Sequence, residues 1–301
     1  MKFPYKKQSL VAFTLAASLG VALATAGEHD EFPRTPIDPA KGVEGDLEWS
    51  GTLALWRDDA ALAANHHLVG DPENEWKLNN KFIDHHDDMH PGTLDVEIGE
   101  KMVKNWSKVH PGFLTCLGEG KTDLKGVAAS YPKYDAKLGR VVTLEGRVQQ
   151  CAADELRINQ QQGMLSTIRI AYYIKSLSAG MPVKVDISSK PVMAAYKRGE
   201  DLFYRRAGQF GFSCASCHAP NGVMGKKLRG QVPTTPFGDA ASYPAYMTGR
   251  GELTSLQQRF RICHVQMRTA PLKPGDPVYA DLEVFYNVLS NGAPIPGTSM
   301  R

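Results

Sequence analysis

This sequence predicts a mainly α-helical protein made of two tandem domains that arose by internal duplication. Three observations predict it: a long internal repeat, apolar residues at helical spacing, and a single Cys-x-x-Cys-His run. In the repeat, Arg147-Val-Gln-Gln-Cys151 returns 112 residues later as Arg259-Phe-Arg-Ile-Cys263. The same offset carries Leu177-Ser178-Ala-Gly180 onto Leu289-Ser290-Asn-Gly292. Upstream, Gly99-Glu100 matches Gly199-Glu200, and Phe113-Leu-Thr-Cys116-Leu-Gly-Glu119-Gly120 falls where Gly211-Phe-Ser-Cys214-Ala-Ser-Cys217-His218 stands. The offset at those cysteines is 98, so a loop length differs between the halves. A unit this long is a duplicated domain and not a solenoid repeat.

Taken in chain order, residues 1–26 read as a signal peptide. Lys2, Lys6 and Lys7 form a basic start, and residues 11–23 are mostly apolar but too short to span a bilayer comfortably. Ala24-Thr25-Ala26 is a small-x-small cleavage site, so the mature chain is expected to begin at Gly27. The alternative is an uncleaved anchor helix. No later stretch approaches a transmembrane run, so no membrane span is expected after cleavage, and the destination is a periplasm. Residues 27–46 are polar and proline-bearing and read as an extended arm. Residues 47–180 form the first domain and 181–301 the second, with the boundary within 178–190.

In the second domain, residues 191–208 carry Val192, Ala195, Tyr196, Leu202 and Phe203 at helical spacing. A second helix is expected over residues 253–267, starting near Thr254 and carrying Cys263. A third is expected over 279–289, stopped by Asn291-Gly292 and Pro294. Glycine and proline punctuate residues 230–251, which read as a loop along one side of a bound group.

The group is named by Cys214-Ala-Ser-Cys217-His218. Two thiols have to reach two vinyl groups on one porphyrin, and two intervening residues on a helical turn provide that reach. The adjoining histidine then turns its imidazole onto the iron. A zinc site wants a second closely spaced ligand pair, and none follows; a thioredoxin-like pair does not need the histidine. The expectation is one covalently bound haem c, attached at Cys214 and Cys217, with His218 on the iron. Helix, haem motif, loop, helix and terminal helix is the layout of a small cytochrome c domain. Both domains are therefore expected to be cytochrome c-like, with only the C-terminal one retaining haem. In the first, Glu119 stands at the second cysteine's place and Gly120 at the histidine's.

The chain has five cysteines, an odd number. Beyond the haem pair, Cys116 and Cys151 would both border the emptied first pocket. They are expected to form a disulfide that closes a loop of about 35 residues; two unpaired buried thiols are the alternative. Cys263 borders the second pocket and is left over. Residues 1–26 carry three of the 35 basic residues and no acidic ones, so the mature chain balances 32 basic against 32 acidic residues. That balance argues against a general nucleic-acid or membrane-surface binder.

Together, the export signal, the two domains, the haem motif and Arg259-Phe-Arg-Ile-Cys263-His264-Val-Gln-Met267-Arg268 resemble the SoxA family. Its members are the catalytic subunits of SoxAX cytochromes in bacterial thiosulfate oxidation. The resemblance spans the mature chain, and the altered motif at Cys116 is similar to that of the single-haem members. It implies that the iron is held by His218 and by Cys263, the latter as a persulfide. It implies a catalytic Cys263 and an L-cysteine S-thiosulfotransferase reaction, which couples thiosulfate to a cysteine of the carrier SoxYZ. Electrons would leave through haem c to the SoxX cytochrome, the partner in a heterodimer. Arg259 would hold the anionic substrate.

Plainer readings stand beside these. Cys263 suits reactivity because a thiolate beside iron and cations is stabilised in its nucleophilic form. It could also be a buried structural cysteine or a ligand without chemistry. Met224, Met247 or Met267 could ligate the iron in its place, as in electron-transfer cytochromes. Arg261 and Arg268 could join Arg259 in an anion cage, since a guanidinium fork suits a sulfonate. Against a substrate role for Arg259, Arg147 stands at the matching place in the half without haem. His264 could relay protons. His66, His67, His85, His86 and His90 read as surface or interface histidines and not as a metal set. A periplasmic cytochrome with electron transfer only is the alternative function, and a haem sensor or scaffold subunit a more distant one.

Overall fold

The computed structural model describes residues 90–219, 223, 233, 236 and 238–300. The expected signal peptide and arm, residues 47–89 of the first domain, four of the five singled-out histidines and Met224 lie outside the described residues.

The first half begins with α1 (Pro91–Val109), a proline-led helix capped by His90, whose Nδ1 accepts the Gly92 N–H at 2.8 Å. This corrects the surface reading of His90: it is 3% exposed and caps a helix. Next come α2 (Pro111–Leu117), a 3₁₀ turn (Ala128–Ser130) and an antiparallel hairpin of β1 (Lys133–Asp135) and β2 (Arg140–Val142). Thr143 caps α3 (Leu144–Cys151) by accepting the Gly146 N–H, a π turn follows, and α4 (Leu165–Ser176) closes the half.

The second half has the same order. It runs α5 (Lys190–Tyr204), α6 (Cys214–His218), a 3₁₀ turn (Ala240–Ser242), a hairpin of β3 (Ala245–Met247) and β4 (Glu252–Thr254), α7 (Leu256–Gln266) and α8 (Pro277–Leu289). The hairpins share a register: Asp135 faces Arg140 as Met247 faces Glu252, each 112 residues apart. The helix expected from Thr254 starts two residues later, because Leu253 and Thr254 belong to β4. Ser255 then caps α7 reciprocally with Gln258.

In each half the first and last helices cross at a glycine. A Cβ on Gly99 would stand 2.1 Å from the Arg169 carbonyl oxygen, and one on Gly199 would stand 2.2 Å from that of Asp281. Both distances are impossible contacts, so only glycine lets these helices approach. Flanking ion pairs fix the crossings with opposite polarity. Asp95 on α1 accepts from Arg169 on α4, and Asp281 on α8 accepts from Arg198 on α5, both at 2.7 Å.

The first core gathers Val103, Phe113, Leu117, Val148, Ile170 and Ile174 around the Cys116–Cys151 disulfide, which joins α2 to the end of α3. The second is aromatic: Phe203 lies 5.1 Å from Phe285 and 5.8 Å from Tyr286, and Phe260 lies 5.1 Å from Tyr286. Lys175, on α4, ties the halves together. Its ammonium donates to the carbonyls of Ser242 and Pro244 and to Ser299 Oγ. Beside it lies a cavity of about 60 Å³ lined by Glu145 from the first half and Glu283 from the second. Among the described residues no helix is long and apolar enough to cross a membrane.

The disulfide closes 35 residues. Replacing both cysteines with alanine is expected to cost about 3–4 kcal/mol by loop entropy. Chemical denaturation checks this, and an unchanged midpoint would refute it.

Burial pushes the Glu283 carboxyl up to about 8, and neighbouring Glu145 adds to the rise against a hydrogen bond from Gln257. The unfolded group titrates near 4.5, so between these values the unfolded chain sheds a proton that the folded chain keeps. Folding stability from this group therefore declines as pH climbs through that window, and the decline is complete above about pH 8. Glu283→Gln is expected to flatten that decline in thermal melts between pH 5 and 9.

Candidate haem and sulfur site

The site is assembled from α6 and α7. Ser213 opens α6 with a reciprocal cap: its hydroxyl accepts the Ser216 N–H, and Ser216 Oγ accepts the Ser213 N–H. Ser216, one of the two residues between the cysteines, thus helps wind the turn that places Cys214, Cys217 and His218 on one short helix. On α7, Arg259 and Cys263 stand four residues apart and share a face.

His218 and the Cys263 sulfur meet in a hydrogen bond between α6 and α7. Cys214 and Cys217 are free thiols at the same place, close enough to Cys263 to bear on one another's charge. Burial pushes the Cys214 thiol up to about 12, with Cys263 and Cys217 adding to it. Cys217 rises for the same reason, burial first and then Cys263. Cys263 moves the other way. Burial alone would raise it, but the Arg259 guanidinium and the His218 hydrogen bond outweigh that and hold it below the ordinary thiol value. Arg259 is in turn held charged, first by Cys263 and then, against burial, by Tyr243, Asp239 and Tyr286.

These residues suit a c-type haem. Two thiols sit on one helical turn, a nitrogen donor and a sulfur donor approach each other from opposite elements, and buried Phe203, Ala215, Ala219, Phe260 and Tyr286 supply apolar walls. Among the described residues Cys263 and not a methionine faces His218, and Met247 and Met267 are buried.

Arg261 is exposed and bears on the Tyr279 hydroxyl. Arg268 lies just past α7 in a left-handed conformation (φ 58°), and its guanidinium covers the Phe210 ring at 5.4 Å. The charges that dominate Cys263 are instead Arg259, His218 and Asp239. His264 points to the other side of α7, where its Nδ1 lies 3.1 Å from the Tyr279 hydroxyl, and burial lowers its pKa.

Tyr243 and Asp239 went unnoticed in the sequence reading, yet a signal existed. Ala128-Ala-Ser-Tyr-Pro132 recurs unchanged as Ala240-Ala-Ser-Tyr-Pro244. Each copy forms a 3₁₀ turn ending at its tyrosine, beside the arginine of the following helix.

Comparison with known proteins agrees with this geometry. The family model described as SoxA/TsdA, cytochrome c domain, matches residues 104–183 and 198–295. The L-cysteine S-thiosulfotransferase subunit SoxA of Chlorobaculum tepidum is 30% identical over 236 residues, covering 78% of this chain and 77% of that protein. The subunit of the same name from Pseudaminobacter salicylatoxidans is 30% identical over 216 residues, covering 70% and 73%. The crystal structure of SoxXA from P. pantotrophus superposes with a TM-score of 0.62 at 22% identity, covering 74% of this chain and 83% of that one.

Proposed function

The chain belongs to the SoxA family of cytochrome c proteins, and from that premise we propose that it is the catalytic subunit of an L-cysteine S-thiosulfotransferase. The observation that carries the reading is the Cys263 sulfur, half-buried on α7 beside Arg259 and hydrogen-bonded to His218. An electron-shuttling cytochrome has no need of a guanidinium against its ligand sulfur. The name shared by the relatives also favours sulfur transfer over that alternative.

In this reading Cys214 and Cys217 attach one haem c, and His218 and Cys263 hold its iron. The bound haem supplies a one-electron acceptor beside the sulfur. The net reaction joins a carrier cysteine thiol and thiosulfate through a new S–S bond: one proton and two electrons leave, and the product is a cysteine S-thiosulfonate. Cys263, kept anionic by Arg259 and His218, is the nucleophilic sulfur, and its persulfide form extends its reach by one atom. Arg259 binds the sulfonate end of thiosulfate. Arg261, exposed on α7, and Arg268, exposed just past its end, add positive charge along the approach.

The same reading takes the two halves as a duplication, with domains at 47–180 and 181–301, and haem kept in the second. In the first, the Cys116–Cys151 disulfide braces what the haem would otherwise fill. Export to a periplasm, cleavage after Ala26, pairing with a SoxX cytochrome as electron acceptor, and SoxYZ as carrier substrate complete the proposal.

Mass spectrometry of the denatured protein is expected to count one haem. The Cys263 peptide should carry about 32 Da extra, the mass of one persulfide sulfur. Cys263→Ser is expected to lower thiosulfate-dependent coupling by at least about 10³-fold while leaving the haem attached. A variant with wild-type turnover would overturn the assignment, and two haems would overturn the reading of the first half.

A further inference from the structure

Arg147 and Arg259 occupy the same place in the two halves, and the structure treats them differently. Each is the fourth residue after a hydroxyl cap, and each donates its backbone N–H to that cap's carbonyl at 2.9 Å, Thr143 for one and Ser255 for the other. Each also has the tyrosine of an Ala-Ala-Ser-Tyr-Pro turn beside it.

In the first half the whole guanidinium is spoken for. Nε donates to the Tyr131 hydroxyl at 2.9 Å, Nη2 to Asp135 at 2.6 Å and Nη1 to Gln150 Oε1 at 2.6 Å. In the second half, the residue in the hairpin register of Asp135 is Met247. The residue three after the arginine, in place of Gln150, is Ile262. Among the described residues the Arg259 side chain makes no hydrogen bond. Asp239 acts on it through space, as do Tyr243, Tyr286 and Cys263.

We propose that Met247 and Ile262 are specificity-determining positions. They replace the carboxylate and the amide that lock the equivalent arginine, and so leave the Arg259 fork open to grip an oxyanion. A fork already held by a carboxylate offers a sulfonate no free pair of N–H groups, and the negative charge beside it repels the anion. An apolar thioether and a branched alkyl at those two positions offer no acceptor to compete for the fork. The inference rests on the reading of Arg259 as the anion clamp and adds what keeps that clamp open.

Restoring the lock tests it. Met247→Asp and Ile262→Gln are made separately in the haem-loaded protein with its partner cytochrome, and coupling is assayed with thiosulfate and the carrier. Each is expected to raise KM for thiosulfate, Met247→Asp by about tenfold or more, the size of a charged hydrogen bond. kcat should change less than KM, since the Arg259 cation and the His218 hydrogen bond both stay beside Cys263. Met247→Leu, which restores no acceptor, should leave KM unchanged. If Met247→Asp fails to take up haem, Ile262→Gln and Met247→Asn carry the measurement.

Unchanged KM in the haem-loaded locked variants would overturn the proposal. Arg259→Gln separates the two levels. If it raises KM while the locked variants do not, the clamp stands and the lock idea falls. If it too leaves KM unchanged, the clamp reading falls with it.

Discussion

The close crossing of α5 over α8 at Gly199 is the constraint on which the site depends. α5 delivers the chain into α6, which carries both motif cysteines and His218, and α7 delivers the chain into α8. Bringing α5 onto α8 therefore brings His218 against Cys263. The contact is made by backbone, with the α5 glycine against the Asp281 carbonyl, so nothing larger can stand there without forcing the helices apart. The first half obeys the same constraint at Gly99, which is why its α2 and α3 are near enough for Cys116 and Cys151 to bond.

On that common frame the two halves spend their buried polar groups differently. In the first, Glu119 takes the second cysteine's place and joins a closed network: it accepts from Tyr131 at 2.5 Å and from Lys133, and Tyr131 in turn accepts from Arg147. Every member has a partner inside the chain, so the half-buried Arg147 and the buried Tyr131 hydroxyl are satisfied without a substrate. The second half leaves Arg259 short of partners and sets it beside a thiolate. Desolvation raises the ordinary cysteine pKa, as Cys214 shows. Only a nearby cation and a hydrogen bond reverse it at Cys263, so two cysteines close enough to feel each other's charge differ in character.

Much of this was legible in the sequence. The haem motif depends on neighbours along the chain, and local spacing carries it. The offset of 112 tied Cys151 to Cys263, and the offset of 98 put Cys116 opposite a motif cysteine, so the pairing in the first half followed from alignment. The strands of three residues are too short to show an alternating pattern, and they stayed hidden in what read as loop. His90 read as surface because nothing in its neighbours announces a cap; the proline after it starts the helix that it closes.

What the sequence by itself determined was the chemical inventory: which cysteines stand in a haem motif, which pair lies outside it in the first half, which arginine precedes the remaining thiol, and that the layout occurs twice. Only the tertiary structure decided how those groups act. It set Arg259 and His218 on Cys263, turned His264 away to Tyr279, and separated Arg261 and Arg268 from the sulfur. The reason is that a side chain's charge state and availability depend on neighbours brought from far along the chain. Arg147 and Arg259 follow the same kind of cap and precede a cysteine by four residues, yet one is locked by an aspartate of the hairpin and the other has a methionine at that register position.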